Sequence, residues 1–415
     1  MSTHLPSRLC LAFVLTATGI HAEALWPEFR GPTAQGHSTA TGLPTEWSKT
    51  QNVVWRTETE GRAWSSPIVA NGKIFLTDAT EKGSKLLLHV LALDAANGKE
   101  LWNTEVLEQK NVDALKMHKK NSHASPSAIW QDGRIYAHFG HHGTACVDEV
   151  GKVLWTTQEN SYVPVHGTGG SPVIVDDLLI FNADAAANPS VIALDKNTGK
   201  TRWKVARSSE ASRKFSFCTP LVIEVNGQKQ VISPGSGVVQ ALNPADGSEI
   251  WRVNYGQGYS VVPRPLFAHG LIFLSTGYDK PVAYAINPDG KGDVTDTHVA
   301  WTSDKRIPHN PSMVVVGDEL YMLADNGLLS CRDAKTGTVH YEERLVGPSS
   351  ASLLSADGRI YAIDEKGNSA VFKPGKTLEV IAKNDLNEKT LASMAVCDND
   401  LLIRTEKALY RIGLR

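Results

Sequence analysis

His123, His166, Arg264, Tyr278, Asp279 and His309 are the candidate ligand-binding side chains of this sequence, and the three histidines with Arg264 could surround a small anion. A histidine ring exchanges its proton close to neutral pH, and arginine holds a permanent charge on a fork that matches a carboxylate. Tyr278-Asp279-Lys280 places a hydroxyl, an acid and an amine side by side. His123, His166, Arg264 and His309 are far apart along the chain, so only a fold that closes on itself brings them together. Arg62, His118, Lys119, Lys120, Arg213, Lys214, Lys305, Arg306 and Lys389 fall in comparable segments where acidic residues are few. Such groups, converging on one funnel, would attract an anion. The plain alternative is that the loops are charged because they are wet, with the histidines as satisfied structural groups.

Other chemistries find less support. Gly235-Ser-Gly237 lacks the full nucleophile-elbow pattern, and no pair of carboxylates is set at a defined separation by spacing alone. The loop from Asp289 to Asp296 is acidic like a calcium loop but lacks the closing Glu, which leaves a solvated loop as the alternative. Cys146, Cys218, Cys331 and Cys397 are remote from one another, with no CxxC or Cys/His ligand spacing. They fall in distant repeats and read as small buried hydrophobes. A formal charge of −2 over 415 residues argues against a general nucleic-acid or anionic-membrane binder.

The elements that would carry these side chains repeat. Ala193-Leu-Asp-Lys-Asn-Thr-Gly-Lys-Thr-Arg-Trp203 reads as a strand end, a tight turn and a new strand. Asp195 can accept from the turn's N–H groups, Gly199 takes the positive-φ position, and Trp203 carries a large apolar face. The same unit recurs at Ala92–Trp102 and Ala241–Trp251, with shorter echoes at Gly151–Trp155 and Asp333–Tyr341. Between these units lie two-residue hairpin signals such as Asn71-Gly72, Asp132-Gly133, Asn226-Gly227 and Asp357-Gly358. Repeats of about 45 residues fit propeller blades. The last repeat, from Leu391 onward, is one strand short, and Val53–Thr59 is a strand over. The expected fold is therefore all-β: an eight-bladed β-propeller of four-stranded antiparallel blades, closed by an N-terminal strand joining the C-terminal blade. In such a ring the first strand of each blade lines the axis.

Three segments are expected. Residues 1–24 read as a signal peptide: Arg8, an apolar run from Leu9 to Ala17, then small residues at Ala22 and Ala24, either of which could precede cleavage. Residues 25–52 read as an irregular arm lying over a larger body, and residues 53–415 as the propeller. No run after the leader is long and apolar enough to span a bilayer.

The Ala-Leu-Asp-x-x-x-Gly-Lys-x-x-Trp unit resembles the tryptophan-docking motif of quinoprotein alcohol dehydrogenase-like propellers. Over nearly the whole mature chain the sequence is similar to secreted PQQ-binding-like β-propeller repeat proteins. Trp26-Pro-Glu-Phe-Arg-Gly-Pro32, Ser275-Thr-Gly-Tyr-Asp-Lys-Pro281 and Arg404-Thr-Glu-Lys407 look like phrases of that family. The same repeat builds a non-enzymatic lipoprotein of the outer-membrane β-barrel assembly machinery. A true quinoprotein site, the resemblance implies, has an adjacent Cys-Cys disulfide over the quinone, a stacking Trp, and calcium near a catalytic Asp. No two cysteines are adjacent here. The expectation is an exported, periplasmic or secreted, monomeric, non-catalytic scaffold with no cofactor, whose partner is a cell-envelope protein or a small anionic ligand. The alternative is an enzyme using the central funnel, dehydrogenase-like and dependent on pyrroloquinoline quinone (PQQ) with calcium.

Overall fold

Turn chemistry sets the strand lengths. At Asn71-Gly72, Asp132-Gly133, Asn226-Gly227, His269-Gly270 and Asp357-Gly358 both residues have φ between +51° and +77°, the mirror-image turn that matches the twist of a hairpin. Farther along each repeat a carboxylate or amide folds over its own backbone: Asp195 Oδ1 accepts the N–H groups of Asn197 and Thr198, both at 3.0 Å. A computed structural model describes residues 25–110 and 117–414, and the segment in which the signal peptide is expected lies outside the described residues.

These turns fold the chain into eight antiparallel sheets. The inner strands are short and buried: Ile68–Ala70, Ile129–Gln131, Val173–Val175, Leu221–Val225, Leu266–Ala268, Val314–Val316, Leu354–Ala356 and Ala395–Cys397. Seven blades are continuous in sequence. The eighth takes its outermost strand from the other end of the chain, Val53–Glu58, which pairs with Ala408–Ile412. That pairing closes the ring and leaves the final blade no missing strand. The acidic insertion of blade five supplies a fifth strand elsewhere: Gly292–Asp293 runs parallel to Trp251 and Arg252 on the rim of blade four.

Blade contacts repeat as the turns do. The indole N–H of Trp102 donates to Glu149 O at 3.0 Å, that of Trp155 to Lys196 O at 3.0 Å, and that of Trp203 to Pro244 O at 2.9 Å. In each case the acceptor lies in the next blade's turn. A Cβ on Gly199 would sit 2.5 Å from the Trp155 ring, so glycine is required there for contact as well as for φ. Trp251 departs from the rule. Covered by the Gly292–Asp293 strand, it is fully buried and donates to Gln230 Oε1 instead. The four cysteines among the described residues, Cys146, Cys218, Cys331 and Cys397, are free and buried.

The arm crosses one end of the axis. Trp26 bridges Val69 of blade one, and Pro27 O accepts Trp130 N of blade two at 2.8 Å. Two residues later Phe29 O accepts from Arg264 of blade five, and Arg30 then donates to Met313 O of blade six. Blades one and two face blades five and six across an eight-membered ring, so Glu28 and Phe29 span the axis. Farther on, the arm pairs with Ser355 of blade seven and meets Asn384 before entering the closing strand.

Candidate functional site

At the opposite end the axis opens into a funnel of about 370 Å³ lined by residues of all eight blades. Its walls are two stacked layers, because alternate residues of an extended chain face the same way. The deeper layer stands two positions before each inner strand: Ser66, Ser127, Ser171, Thr219, Arg264, Ser312, Ser352 and Ser393. All but Arg264 line the funnel. The upper layer, two positions earlier, includes Trp64, Phe217, Asn310 and Leu391, with Tyr259, Tyr278, His118 and His166 around the mouth. Phe29 lines the same space and, lying where the arm crosses the axis, closes its floor.

The deep hydroxyls form a belt. Ser66 N donates to Ser127 Oγ, Ser127 N to Ser171 Oγ, and Ser171 N to Thr219 Oγ1, at 2.8–2.9 Å. A second arc runs from Arg264 N to Ser312 Oγ, Ser312 N to Ser352 Oγ, and Ser352 N to Ser393 Oγ, at 2.9–3.0 Å. Each bond joins one blade to the next. Six hydroxyl oxygens thus accept a main-chain proton while, among the described residues, their own protons go to no protein acceptor and Ser66 Oγ has no protein partner.

Arg264 occupies the eighth slot but serves the arm. Its guanidinium donates to Pro220 O at 3.0 Å, Phe29 O at 2.6 Å and Glu28 Oε2 at 2.9 Å, and the residue is 1% exposed. Arg30 lies near it, and desolvation together with the charge of Arg264 lowers its pKa to about 9.

The structure redistributes the six side chains singled out in the sequence. His166 and Tyr278 line the funnel. His309 stacks on Tyr278 with ring centroids 4.6 Å apart, and Asp279 accepts from Tyr259 Oη at 3.2 Å. Arg264 is a correction: its side chain turns away from the rim to bind the arm. His123 is a second correction. It is buried in blade two, where its Nδ1 shares a hydrogen bond with His142 Nε2 at 3.0 Å, and desolvation, then Arg62, lowers its pKa to about 4. His118 at the mouth is also lowered, by desolvation and by His166, Lys119 and Lys120. Lys120 pairs with Glu365 at 2.6 Å, Arg306 with Glu342, and Lys389 lies over the Trp64 ring. Among the described residues the rim is therefore partly neutralised, with Lys120 and Arg306 held in ion pairs. What sequence reading missed is the hydroxyl belt. Its signal was present as a Ser or Thr two residues before seven of the eight inner strands.

An eight-bladed ring whose repeats lock turn to tryptophan, with a funnel on its axis, defines the class as a PQQ-like repeat propeller. The family model for the outer membrane protein assembly factor BamB matches residues 38–158, 88–294 and 235–380, and the chain belongs to that family. It is 21% identical over 351 residues to the outer membrane protein assembly factor BamB of Yersinia pestis, covering 77% of this chain and 85% of that protein. It is 24% identical over 300 residues to the polyvinylalcohol dehydrogenase of Sphingopyxis sp. (strain 113P3), covering 59% of this chain but only 39% of the dehydrogenase. A europium-containing methanol dehydrogenase superposes with a TM-score of 0.69 at 12% identity, over 91% of this chain and 89% of that one, which shows a shared fold. Among the described residues no helix is long and apolar enough to cross a membrane.

Proposed function

We propose that the chain is an exported, non-catalytic propeller scaffold of the cell envelope that binds a protein or ligand partner through its faces and funnel. The observation that carries this reading is the lining of the funnel, which is made of hydroxyl, aromatic and aliphatic groups with two amides, two histidines and Lys120, and no Asp or Glu among the described residues. Calcium takes oxygen ligands that include carboxylates. The quinone shelf implied by the resemblance to quinoprotein dehydrogenases rests on adjacent cysteines, and here the four cysteines among the described residues are free, buried and distributed over separate blades. The residues present do not fit PQQ with calcium. Membership of the BamB family and the long match to the Yersinia pestis protein support the scaffold role.

The test uses protein recovered from the envelope fraction of an expressing host. Its mature chain is expected to begin after Ala22 or Ala24 and, supplied with PQQ and calcium, to reduce no dye with common alcohols or aldoses. A quinone-dependent rate would restore the dehydrogenase reading.

A further inference from the structure

We infer that the hydroxyl belt is a binding site for an oxyanion, a carboxylate or phosphate, carried on an apolar body that packs against the aromatic mouth of the funnel. The inference deepens the scaffold reading by naming the chemistry of a ligand for the funnel. It rests on what the seven hydroxyls have left to offer. Ser127, Ser171, Thr219, Ser312, Ser352 and Ser393 each use one oxygen lone pair on a neighbour's N–H, which holds the side chain in place. Among the described residues their protons find no protein acceptor, and Ser66 Oγ, in a residue 3% exposed, has no protein partner. These hydroxyls open onto one space, so seven donors without a protein acceptor among the described residues suit an acceptor-rich occupant of the funnel.

Charge decides between a neutral polyol and an anion. Among the described residues no carboxylate lines the funnel. Beneath the floor, Arg264 and Arg30 are opposed by Glu28, the one acidic side chain among the described residues bonded to either. The Nε and Nη1 atoms of Arg30 are buried without a partner. A surplus of positive charge under a low-dielectric cavity favours negative charge within it. The wall above is apolar on Trp64, Phe217, Val262 and Leu391, which suits the body of the ligand rather than its head. A volume of about 370 Å³ falls at the small end of ordinary ligand pockets.

Ser66→Ala is the sharpest test, because it removes a donor without breaking an internal hydrogen bond. Binding of 3-phenylpropionate, phenyl phosphate and the neutral 3-phenylpropionamide is measured by calorimetry on the full mature chain. A peptide ending in Phe, with a free or an amidated terminus, separates a polypeptide chain end from a free small acid as the source. The acids are expected to bind about tenfold or more tightly than the amide, and Ser66→Ala to weaken them about tenfold with an unchanged melting temperature. Thr219→Val removes a hydroxyl from the far end of the same arc and is expected to act alike; it decides the matter if Ser66→Ala fails to fold. Equal binding of acid and amide, no binding of any probe, or acid binding indifferent to the variant that folds would overturn the site. A quinone-dependent oxidation would remove the scaffold reading and leave this result standing, so the two fail separately.

Discussion

Arg264 shows how far a side chain's role depends on contacts that its own neighbourhood does not announce. It holds the slot that Ser or Thr fills in the other seven blades, and local sequence suggests a rim cation. Its partners Phe29 and Glu28 lie 235 and 236 positions away, on an arm with no strand periodicity to predict its path. The consequence concerns stability. Arg264→Ala leaves Pro220 O and Phe29 O without their donor and Glu28, 24% exposed, without its cation. Breaking such a pair from one side is expected to destabilise the protein by about 2–4 kcal/mol. Limited proteolysis should then cut within residues 25–52 well before the blades. A variant as resistant as wild type, with the same melting temperature, would show that the arm is held elsewhere.

At the scale of the element, the blades were legible because their information is local. A turn such as Asp195 to Gly199 is specified by residues within five positions, and it recurs until the register is unmistakable. Blade two holds what was not legible. A 3-10 turn, Gly140–His142, brings His142 against His123 and His141 against His142, and His138 stacks on Phe181 of blade three with centroids 4.0 Å apart. None of these contacts follows from the spacing of the four histidines. All are buried, and desolvation holds His123, His138, His141 and His142 neutral, with pKa values lowered to about 4, 3, 4 and 2. The unfolded chain takes up protons on the same residues near pH 6.5, whereas the folded blade does not. Stability therefore falls as pH drops below about 6.5, by about 1.4 kcal/mol per pH unit for each such histidine, until its lowered pKa is reached. Denaturant titrations at about pH 7, 5.5 and 4.5 should show this slope. His138→Phe, which keeps a ring against Phe181, is expected to reduce it by one histidine's share. An unchanged slope in the variant would mean that His138 is charged in the fold.

For the whole molecule the decisive feature is closure. The count of strands foresaw it: one over at the start, one missing at the end. Pairing of Val53–Glu58 with Ala408–Ile412 joins the two ends of the described propeller. The floor of the funnel escaped notice because Phe29 reaches the axis along an irregular path, fixed by single hydrogen bonds to blades on opposite sides. Closure makes a physical demand on the seam. Removing residues 53–58 leaves Ala408–Ile412 as an exposed, buried-type edge whose five residues are all apolar or aromatic but Arg411, a template for pairing with another chain. It also removes Trp55, whose indole donates to Ala95 O at 2.9 Å and packs over Gly98 in blade one. The half-buried Trp55 alone, cut to Ala, should cost about 2–3 kcal/mol, somewhat less than a fully buried tryptophan. Deleting the strand should do more than add to that figure. With the eighth blade unsealed, the ring loses cooperativity, and scanning calorimetry should show a broadened transition with soluble oligomers or aggregate on gel filtration. Trp55→Ala, by contrast, keeps the main-chain ladder and should still melt as one unit at a lower temperature. A deletion that melts as sharply as wild type and elutes at the same volume would mean that the ring does not need its borrowed strand.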